Sequence, residues 1–286
     1  MNYKYLGIPL MVLALASCGG GGGGDEASSG SSSGSSSSPS AAAAQTLGSK
    51  TFPSTCISTG SSADTNNTYG SFTVSSNIWN RGAASAFTQC TSATIQSPGG
   101  VTAAEFDWNF TPKSGNSTVL SYPNLQFGQQ SSYSPSTTSI LPAPISALPS
   151  LTATGTITTT CTTVPCYYDS IFDIFFSSGA HSSKTTQGEL AIFASYSLPY
   201  TPGGFVATNV PIGGGTYNIY TTTMGSGANS WPFVEYIPTN QFTQLNVNIN
   251  SFVADAVKRG YIPPSYYLDM VELGTEVLSG QGVTKI

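Results

Sequence analysis

The sequence predicts an all-β fold, a β-jelly-roll sandwich of two antiparallel sheets with a concave cleft and one packed α-helix. Three observations support this prediction. Short runs rich in β-branched and aromatic residues recur along the chain, and Gly, Pro, Asn and Ser separate them. The part of the chain with ordinary sequence complexity has the length of one domain. A single segment near its end shows helical periodicity.

The first 17 residues are predicted to be a signal peptide of the lipoprotein type. An apolar run from Leu6 to Ala16 is too short to span a bilayer and fits a signal-peptide core. Small residues then precede Cys18, as in a bacterial lipobox, where this cysteine is lipid-modified. We therefore expect an exported protein anchored at the outer membrane or cell surface. The alternative is an ordinary secretory signal, which gives a secreted protein.

Residues 18–50 are predicted to form a flexible tether. They hold a run of glycines, a Ser-rich stretch and four consecutive alanines, and this composition cannot bury a core. Residues 51–286 then remain as one domain.

Low charge limits the partners of this domain. Charged residues make up only 7% of the chain and the net charge is −5, whereas nucleic-acid binding needs clustered Lys and Arg. No later apolar run has the length of a transmembrane helix, so membrane contact is expected only through a lipid anchor at Cys18. We expect a monomer that binds no nucleic acid.

The strand prediction depends on eight runs with β-rich composition and turn residues at their borders. In chain order they are YGSFTVSSNIW (69–79), AAEFDWNF (103–110), SIFDIFFSS (170–178), GELAIFASYSL (188–198), GTYNIYTTT (215–223), WPFVEYIP (231–238), FTQLNVNI (242–249) and YYLDMVELGTEVLSG (266–280).

The segment 250–264, NSFVADAVKRGYIPP, is predicted to be the helix. Four apolar residues fall on one face of such a helix: Phe252, Val253, Ala256 and Val257. Asn250 or Ser251 can cap its start, and Gly260 can end it.

Four cysteines remain beside Cys18. An even number in an exported chain predicts disulfides. Cys161 and Cys166 could close a short loop. Cys56 and Cys90 could then pair. A zinc site is the competing interpretation, but the chain has one histidine and no CxxC motif, and we expect neither a metal nor a cofactor.

Carboxylates stand out because the chain has only 13 Asp and Glu residues. Strand alternation in the run 266–280 puts four residues on one face: Met270, Glu272, Gly274 and Glu276. The opposite face looks like core, so the polar face is predicted to meet solvent or a cleft. Without a side chain at Gly274, a ligand could approach the backbone closely there. A solvated sheet face is the alternative.

Two further carboxylates stand in apolar strands. Glu189 begins GELAIFASY and shares a face with Ala191 and Phe193, although it could also be a strand end that reaches water. Asp173 is isolated among aromatic residues and isoleucine in SIFDIFF, and a buried Asp needs partners. It could be a structural acceptor, or it could raise the pKa of a neighbouring carboxyl by like-charge repulsion.

Two glutamates that face one cleft from neighbouring strands are the machinery of glycoside hydrolysis. One protonates the departing sugar oxygen, and the other attacks the anomeric carbon or activates water. The 15 Tyr and 14 Phe residues could stack on sugar rings, and Asn, Ser and Thr could bind hydroxyl groups. Sugar-binding proteins without catalysis share this aromatic and amide chemistry.

In their order along residues 54–285, these motifs resemble glycoside hydrolase family 12, the small endo-β-1,4-glucanases. TVSSNIWN (73–80) is similar to the first strand of that family, CISTG…FTQC to its N-terminal disulfide, and FDWNF and LSYPNLQFG to its next two strands. FDIFF, GELAIF and LGTEVLSG are similar to its three carboxylate strands.

The resemblance implies roles for individual residues. Glu189 would be the nucleophile, Glu276 the acid/base and Asp173 an auxiliary carboxylate, with Cys56 bonded to Cys90. Substrate-binding residues would be Trp79, Trp108, Tyr122, Asn124 and Phe193, with Trp231 as a weaker candidate for stacking.

The implied function is that of a retaining endo-β-1,4-glucanase acting on cellulose, mixed-linkage glucan or xyloglucan. The chain departs from the family where Met and Trp usually follow the nucleophile, because it has Ala191 and Phe193 there. Val277 stands where a proline usually follows the acid/base. These departures leave the preferred glucan open. A surface glycan-binding lipoprotein with the same fold and no catalysis is the alternative.

Overall fold

The computed structural model describes residues 48–115, 118–129, 135–179, 186–197 and 203–286. Within these ranges the chain forms 16 strands, one α-helix and three short 3-10 helices. The strands are β1 (Gly48–Ser58), β2 (Asn66–Tyr69), β3 (Phe72–Ser75), β4 (Ala84–Ser97), β5 (Val101–Pro112), β6 (Asn124–Gly128), β7 (Ala143–Pro144), β8 (Thr152–Thr156), β9 (Thr158–Cys161), β10 (Tyr167–Ser177), β11 (Gly188–Tyr196), β12 (Gly204–Ile212), β13 (Gly215–Met224), β14 (Trp231–Pro238), β15 (Gln244–Asn248) and β16 (Tyr267–Lys285), and the helix is α1 (Ile249–Lys258).

Two sheets form the predicted jelly roll. Sheet A has the order β1-β4-β5-β16, with β9 also pairing with β16. Sheet B has the order β2-β3-β6-β16-β10-β11-β14-β13-β12, with β7 also pairing with β16. β8 and β15 form a separate two-stranded pair. The fold class predicted from the sequence is confirmed.

Strand β16 belongs to both sheets. Its 19 residues pair with β10 of sheet B up to Ser279, and from Gly280 onward they pair with β5 of sheet A. Gly280 lies at this passage with a φ of 90°, and a Cβ there would lie 2.6 Å from the carbonyl oxygen of Pro165. Only glycine fits this conformation and this close approach without strain.

One pair of neighbouring strands departs from the predicted antiparallel arrangement, because β11 and β14 run parallel. The strands β12, β13 and β14 form an antiparallel meander in which each turn reverses the chain direction. The third strand of this meander, β14, lies next to β11. This long-range pairing places Glu235 beside Ala191 in register.

Apolar side chains from both sheets fill the space between them. The largest fully buried ones include Phe106 of sheet A and Phe172 and Phe176 of sheet B. Burying one such side chain contributes about 1.5–3 kcal/mol to folding. A second, smaller cluster contains Trp108, Phe110 and Tyr168.

Helix α1 lies where the sequence predicts a helix, but its start is organised differently. Asn248 is the N-cap, and no side chain makes a capping hydrogen bond. Asn250, an expected cap, instead donates from Nδ2 to the carbonyl of Pro149 and accepts from the N–H of Leu151. It joins the helix to the chain before β8 instead of satisfying the N–H groups of the first turn.

The helix packs on sheet B through buried residues, which are Ile249, Phe252, Val253 and Ala256. The ring of Phe252 makes edge-to-face contacts with Tyr217 and Tyr236, each at a centroid distance of 5.1 Å. Gly260 follows with a φ of 80°, which confirms the predicted end of the helix.

Both expected disulfides are present. Cys56 and Cys90 are cross-strand partners of β1 and β4, and Cys161 and Cys166 close the loop between β9 and β10. Strand β1 begins at Gly48, three residues before the predicted domain boundary. The predicted signal peptide, Cys18 and most of the tether lie outside the described residues.

No helix in the described part of the chain is both long enough and apolar enough to cross a membrane.

A ring of four hydroxyl groups joins the strands β9, β10 and β16. Thr159 and Ser170 are 2.8 Å apart, Ser170 and Thr275 3.0 Å, Thr275 and Thr284 2.7 Å, and Thr284 and Thr159 2.8 Å. Three of these residues are fully buried. Because each hydroxyl can donate one hydrogen bond and accept another, the ring satisfies all four groups.

Replacing Thr275 with Val is expected to destabilise the fold by about 1–3 kcal/mol, because two buried hydroxyls each lose a partner. Urea unfolding measures this loss. Thr275→Ser is the matched control, since it keeps the hydroxyl and removes only a methyl group, and its loss should be smaller. A Val variant as stable as the parent protein would show that the ring does not stabilise the fold.

Candidate active site

The face of sheet B that points away from the core carries a group of carboxyl groups. Strands β10 and β16 pair so that Asp173 lies opposite Glu272 and Asp169 lies opposite Glu276. Alternate residues of a strand share a face, so these four side chains lie on one side of the sheet.

The neighbouring strands add two more carboxyl groups to this face. Glu189 of β11 is paired with Phe175, two residues from Asp173, and Glu235 of β14 is paired with Ala191, which itself faces Asp173. Six of the 13 acidic residues of the chain therefore lie on one face of one sheet. Five are at most 5% exposed and Glu276 is partly exposed.

Glu189 is held by two hydrogen-bond donors. The indole Nε1 of Trp231 donates to Glu189 Oε2 at 2.6 Å, and the carboxyl of Asp173 forms a second hydrogen bond with Glu189. Burial raises the pKa of Glu189 from 4.5 to about 7, and these two hydrogen bonds limit the rise. Burial and the charges of Glu189 and Glu272 hold the pKa of Asp173 well above its usual 3.8. Asp173 therefore stays protonated, and its O–H donates a hydrogen bond to Glu189.

Glu276 has a similar arrangement with a different aspartic acid. Its pKa is raised from 4.5 to about 7. Burial is the main cause, a hydrogen bond from Asp169 opposes the rise, and the charges of Glu189 and Glu235 contribute to it. The influence of Glu189 shows that the two glutamates lie within electrostatic reach of each other. The face thus contains two carboxyl pairs, Asp173 with Glu189 and Asp169 with Glu276.

Glu272 forms the edge of this group towards β6. Asn124 Nδ2 donates to Glu272 Oε2 at 3.0 Å. Burial and the charge of Glu189 together raise the pKa of Glu272 to about 8, although the amide of Gln126 opposes the rise. Because carboxylates at this spacing repel one another in a medium of low dielectric constant, several of the six retain protons at neutral pH.

Among the residues that the structure describes, no three His, Cys, Asp or Glu side chains are arranged to hold a metal ion.

Of the aromatic residues expected to bind sugar, Trp79 is accessible. It follows strand β3, and 46% of its surface is exposed. Trp108, which was also expected to bind substrate, lies instead in the core. It is 2% exposed and packs in the smaller core cluster, with its ring 6.3 Å from that of Tyr168. The reason is that β5 belongs to sheet A, so Trp108 does not lie on the carboxylate face.

Three other expected substrate-binding residues lie beside the carboxylates, but each is at most 1% exposed. Tyr122 donates its hydroxyl to the carbonyl of Ile171, Asn124 holds Glu272, and Phe193 packs edge-to-face against Tyr196. They support the floor of the site and offer no surface on which a sugar could stack. Direct contact of these three residues with a substrate stays a prediction.

Trp231 and Gly274 have roles that the sequence did not indicate. Trp231 was a weak candidate for sugar stacking, but its indole N–H binds Glu189. A Cβ on Gly274 would lie 2.3 Å from the carbonyl oxygen of Pro123 and 2.6 Å from the Cβ of Asn124. The close approach at Gly274 is therefore made by strand β6 and not by a ligand.

Two buried carboxylates of the face, Asp169 and Glu235, were not predicted as site residues. A signal existed for Asp169, because it precedes Asp173 by four residues in a strand and must share its face. Glu235 is an isolated acid in the apolar run WPFVEYIP, the pattern that identified Asp173.

A jelly-roll sandwich with paired glutamates on the open face of one sheet defines the class of β-jelly-roll glycoside hydrolases. The chain belongs to glycosyl hydrolase family 12, because the model of that family matches residues 70–286. The family predicted from the motifs is confirmed. No curated protein matches the chain.

Solved structures of the family share the fold. A xyloglucanase from Bacillus licheniformis has a TM-score of 0.68 at 21% identity, covering 82% of this chain and 96% of its own. A metagenome-derived endoglucanase has 0.63 at 24%, covering 82% and 95%. An endoglucanase from Rhodothermus marinus has 0.58 at 24%, covering 78% and 96%. At these identities the similarity defines the fold.

Proposed function

We propose that the protein is a retaining endo-β-1,4-glucanase that hydrolyses β-glucans by double displacement. The observation that carries the proposal is the pair of glutamates, Glu189 and Glu276, on one face of sheet B. The charge of Glu189 acts on Glu276, and each glutamate is hydrogen-bonded to its own aspartic acid. Membership of the family supports the substrate class.

The hydrogen bonds indicate which glutamate is the nucleophile. Glu189 accepts from both Trp231 and Asp173, and two donors favour its ionised form. Glu276 has one such donor, Asp169, and the charge of Glu189 favours its protonated form, whereas the charge of Glu235 acts on both glutamates. We therefore assign Glu189 as the nucleophile and Glu276 as the acid/base.

The reaction then takes two steps. In the first, a carboxylate oxygen of Glu189 bonds to the anomeric carbon, the glycosidic C–O bond breaks, and the proton of Glu276 moves to the departing oxygen. In the second, Glu276 takes a proton from water while the water oxygen bonds to the anomeric carbon and displaces Glu189. The product keeps the configuration of the substrate, and both carboxyl groups return to their starting states.

The extent of sheet B supports attack within a polysaccharide chain. Nine strands at about 4.8 Å spacing give the sheet a width of about 38 Å, much more than one sugar needs. Exposed aromatic residues lie towards opposite ends of this strand order, Trp79 after β3 and Phe205 on β12. Rings at both ends can stack on sugars far from the bond that is broken.

The test of the proposal is a reducing-sugar assay with carboxymethyl-cellulose, barley β-glucan and xyloglucan as substrates. We expect new reducing ends from at least one of them. Proton NMR of the first products should show the β-anomer, because double displacement retains configuration. The α-anomer would overturn the retaining mechanism. Glucan binding without new reducing ends would favour a non-catalytic glycan-binding protein.

A further inference from the structure

The two reaction steps involve Glu189 and Glu276 directly, and each of these glutamates has an aspartic acid beside it. The one beside Glu276, Asp169, was not predicted from the sequence. Asp169 is 1% exposed and is the direct cross-strand partner of Glu276 in the pairing of β10 with β16. Its neighbour Ser170 belongs to the ring of hydroxyl groups behind the sheet, as does Thr275 next to Glu276. The backbone on both sides of this carboxyl pair is therefore fixed by buried hydrogen bonds.

Both oxygens of Asp169 lack a conventional donor. Among the described residues no N–H or hydroxyl group reaches Oδ1 or Oδ2, and the hydrogen-bonding partner is the carboxyl of Glu276. An ionised carboxylate buried without a donor is strongly unfavourable. Two adjacent ionised carboxylates are worse, so a proton must lie between the two side chains.

We propose that Asp169 is a positioning residue, which holds a proton against the Glu276 carboxylate and so fixes its orientation and its readiness to exchange a proton with substrate and water. This inference rests on the proposed function, since it concerns the acid/base of that reaction. It adds a residue that interacts with substrate only through Glu276.

The surroundings determine which member of the pair keeps the proton. Burial, then the charge of Glu276 and its hydrogen bond, then Glu235 of β14 hold the pKa of Asp169 well above 3.8. Asp169 thus stays protonated when Glu276 ionises, and its O–H lowers the pKa of Glu276, against burial and the charges of Glu189 and Glu235. Two tyrosines also lie near the pair. Tyr196 of β11 is the cross-strand partner of Asp169, and Tyr122 stays neutral because burial holds its pKa well above 10.

Variants of Asp169 are expected to raise the pKa of Glu276 in a graded order. An amide N–H is a weaker donor to a carboxylate than a carboxylic O–H, so Asp169→Asn should raise this pKa by about one unit. Asp169→Leu offers no donor and should raise it further. Titration by carbon-13 NMR of protein labelled at the glutamate carboxyls measures the value directly, with Glu276→Gln assigning the signal.

Activity gives the second readout. The basic limb of the pH profile of kcat/KM should move to higher pH in the order parent, Asn, Leu, because Glu276 acts as an acid in the first step. Asp107→Asn on sheet A makes the same chemical exchange away from the pair and should move neither readout. Equal Glu276 titrations in the parent and in both Asp169 variants would overturn the proposal.

The titration separates this inference from the proposed function. A parent protein without hydrolytic activity would overturn the function, while the titration would still decide whether the pair shares a proton. If Asp169→Asn fails to fold, as judged by near-UV circular dichroism, the reciprocal measurement replaces it. Glu276→Gln should lower the pKa of Asp169, observed in protein labelled at the aspartate carboxyls, and an unchanged value would also overturn the proposal.

Discussion

Glu189→Ala is expected to lose turnover of β-glucan to the background of the assay, because it removes the carboxylate that we assign to bond to the anomeric carbon. An aryl β-cellobioside with a good leaving group should recover activity when azide is added, since azide fits the space left by the carboxylate. Attack from that side gives the α-glycosyl azide, which proton NMR identifies. Glu189 is the second residue of β11, outside the apolar centre of the strand, so the fold should survive.

Glu276→Ala should differ from this in the configuration of its azide product. General acid/base catalysis contributes about 10²–10⁴-fold, so this variant should keep a small activity on a substrate that needs no protonation. Its covalent intermediate is attacked by azide from the opposite side and yields the β-glycosyl azide. Glu105→Gln is the control. Glu105 lies on sheet A beside Lys285, and this variant should have the activity of the parent protein. A β-glycosyl azide from Glu189→Ala and an α-glycosyl azide from Glu276→Ala would reverse the assignment of the two glutamates.

The second large effect concerns stability, which is expected to fall as the pH rises from 5 to 8. The pKa values of Glu189 and Glu276 rise from 4.5 to about 7 in the folded protein, and that of Glu272 rises to about 8. Between pH 4.5 and 8 the folded state therefore binds more protons than the unfolded state, so the free energy of unfolding decreases with pH. Raising a pKa by one pH unit on folding corresponds to about 1.4 kcal/mol. At pH 8 the three glutamates together therefore lower the free energy of unfolding by on the order of several kcal/mol.

Guanidinium unfolding at pH 5, 6, 7 and 8 measures this dependence. Glu272→Gln removes one of the raised groups, and the slope of stability against pH should become shallower in this variant. It keeps an amide next to Asn124 and Gln126, so packing changes little. Equal or greater stability at pH 8 in the parent protein would show that the buried carboxyls are not held protonated by the fold.

The period of two in β-strands explains why part of the site could be predicted from the sequence. Alternation alone places Glu272 and Glu276 on one face of their strand, and the same pattern isolates Asp173 and Glu189 among apolar residues. The order of these strands along the chain then identified the family. These inferences use neighbours in sequence, and for that reason they did not depend on how the sheets assemble.

What the sequence could not provide depends on contacts between distant segments. Trp108 looks like a platform for sugar in its own strand, and only the pairing of β5 with β16 in sheet A shows that it faces a core. The hydrogen bond from Trp231 to Glu189 follows from the parallel pairing of β11 with β14. Asp169 meets Glu276 only because of the register between β10 and β16.

The passage of β16 from one sheet to the other has a consequence for engineering of this protein. Glu276 lies four residues before Gly280, where β16 passes from sheet B to sheet A. Glu189 lies on β11, which belongs to sheet B alone. A substitution in sheet A that shifts β16 will therefore move Glu276 relative to Glu189. Turnover should respond to changes remote from any bound sugar, and screening for improved variants should include that distant surface.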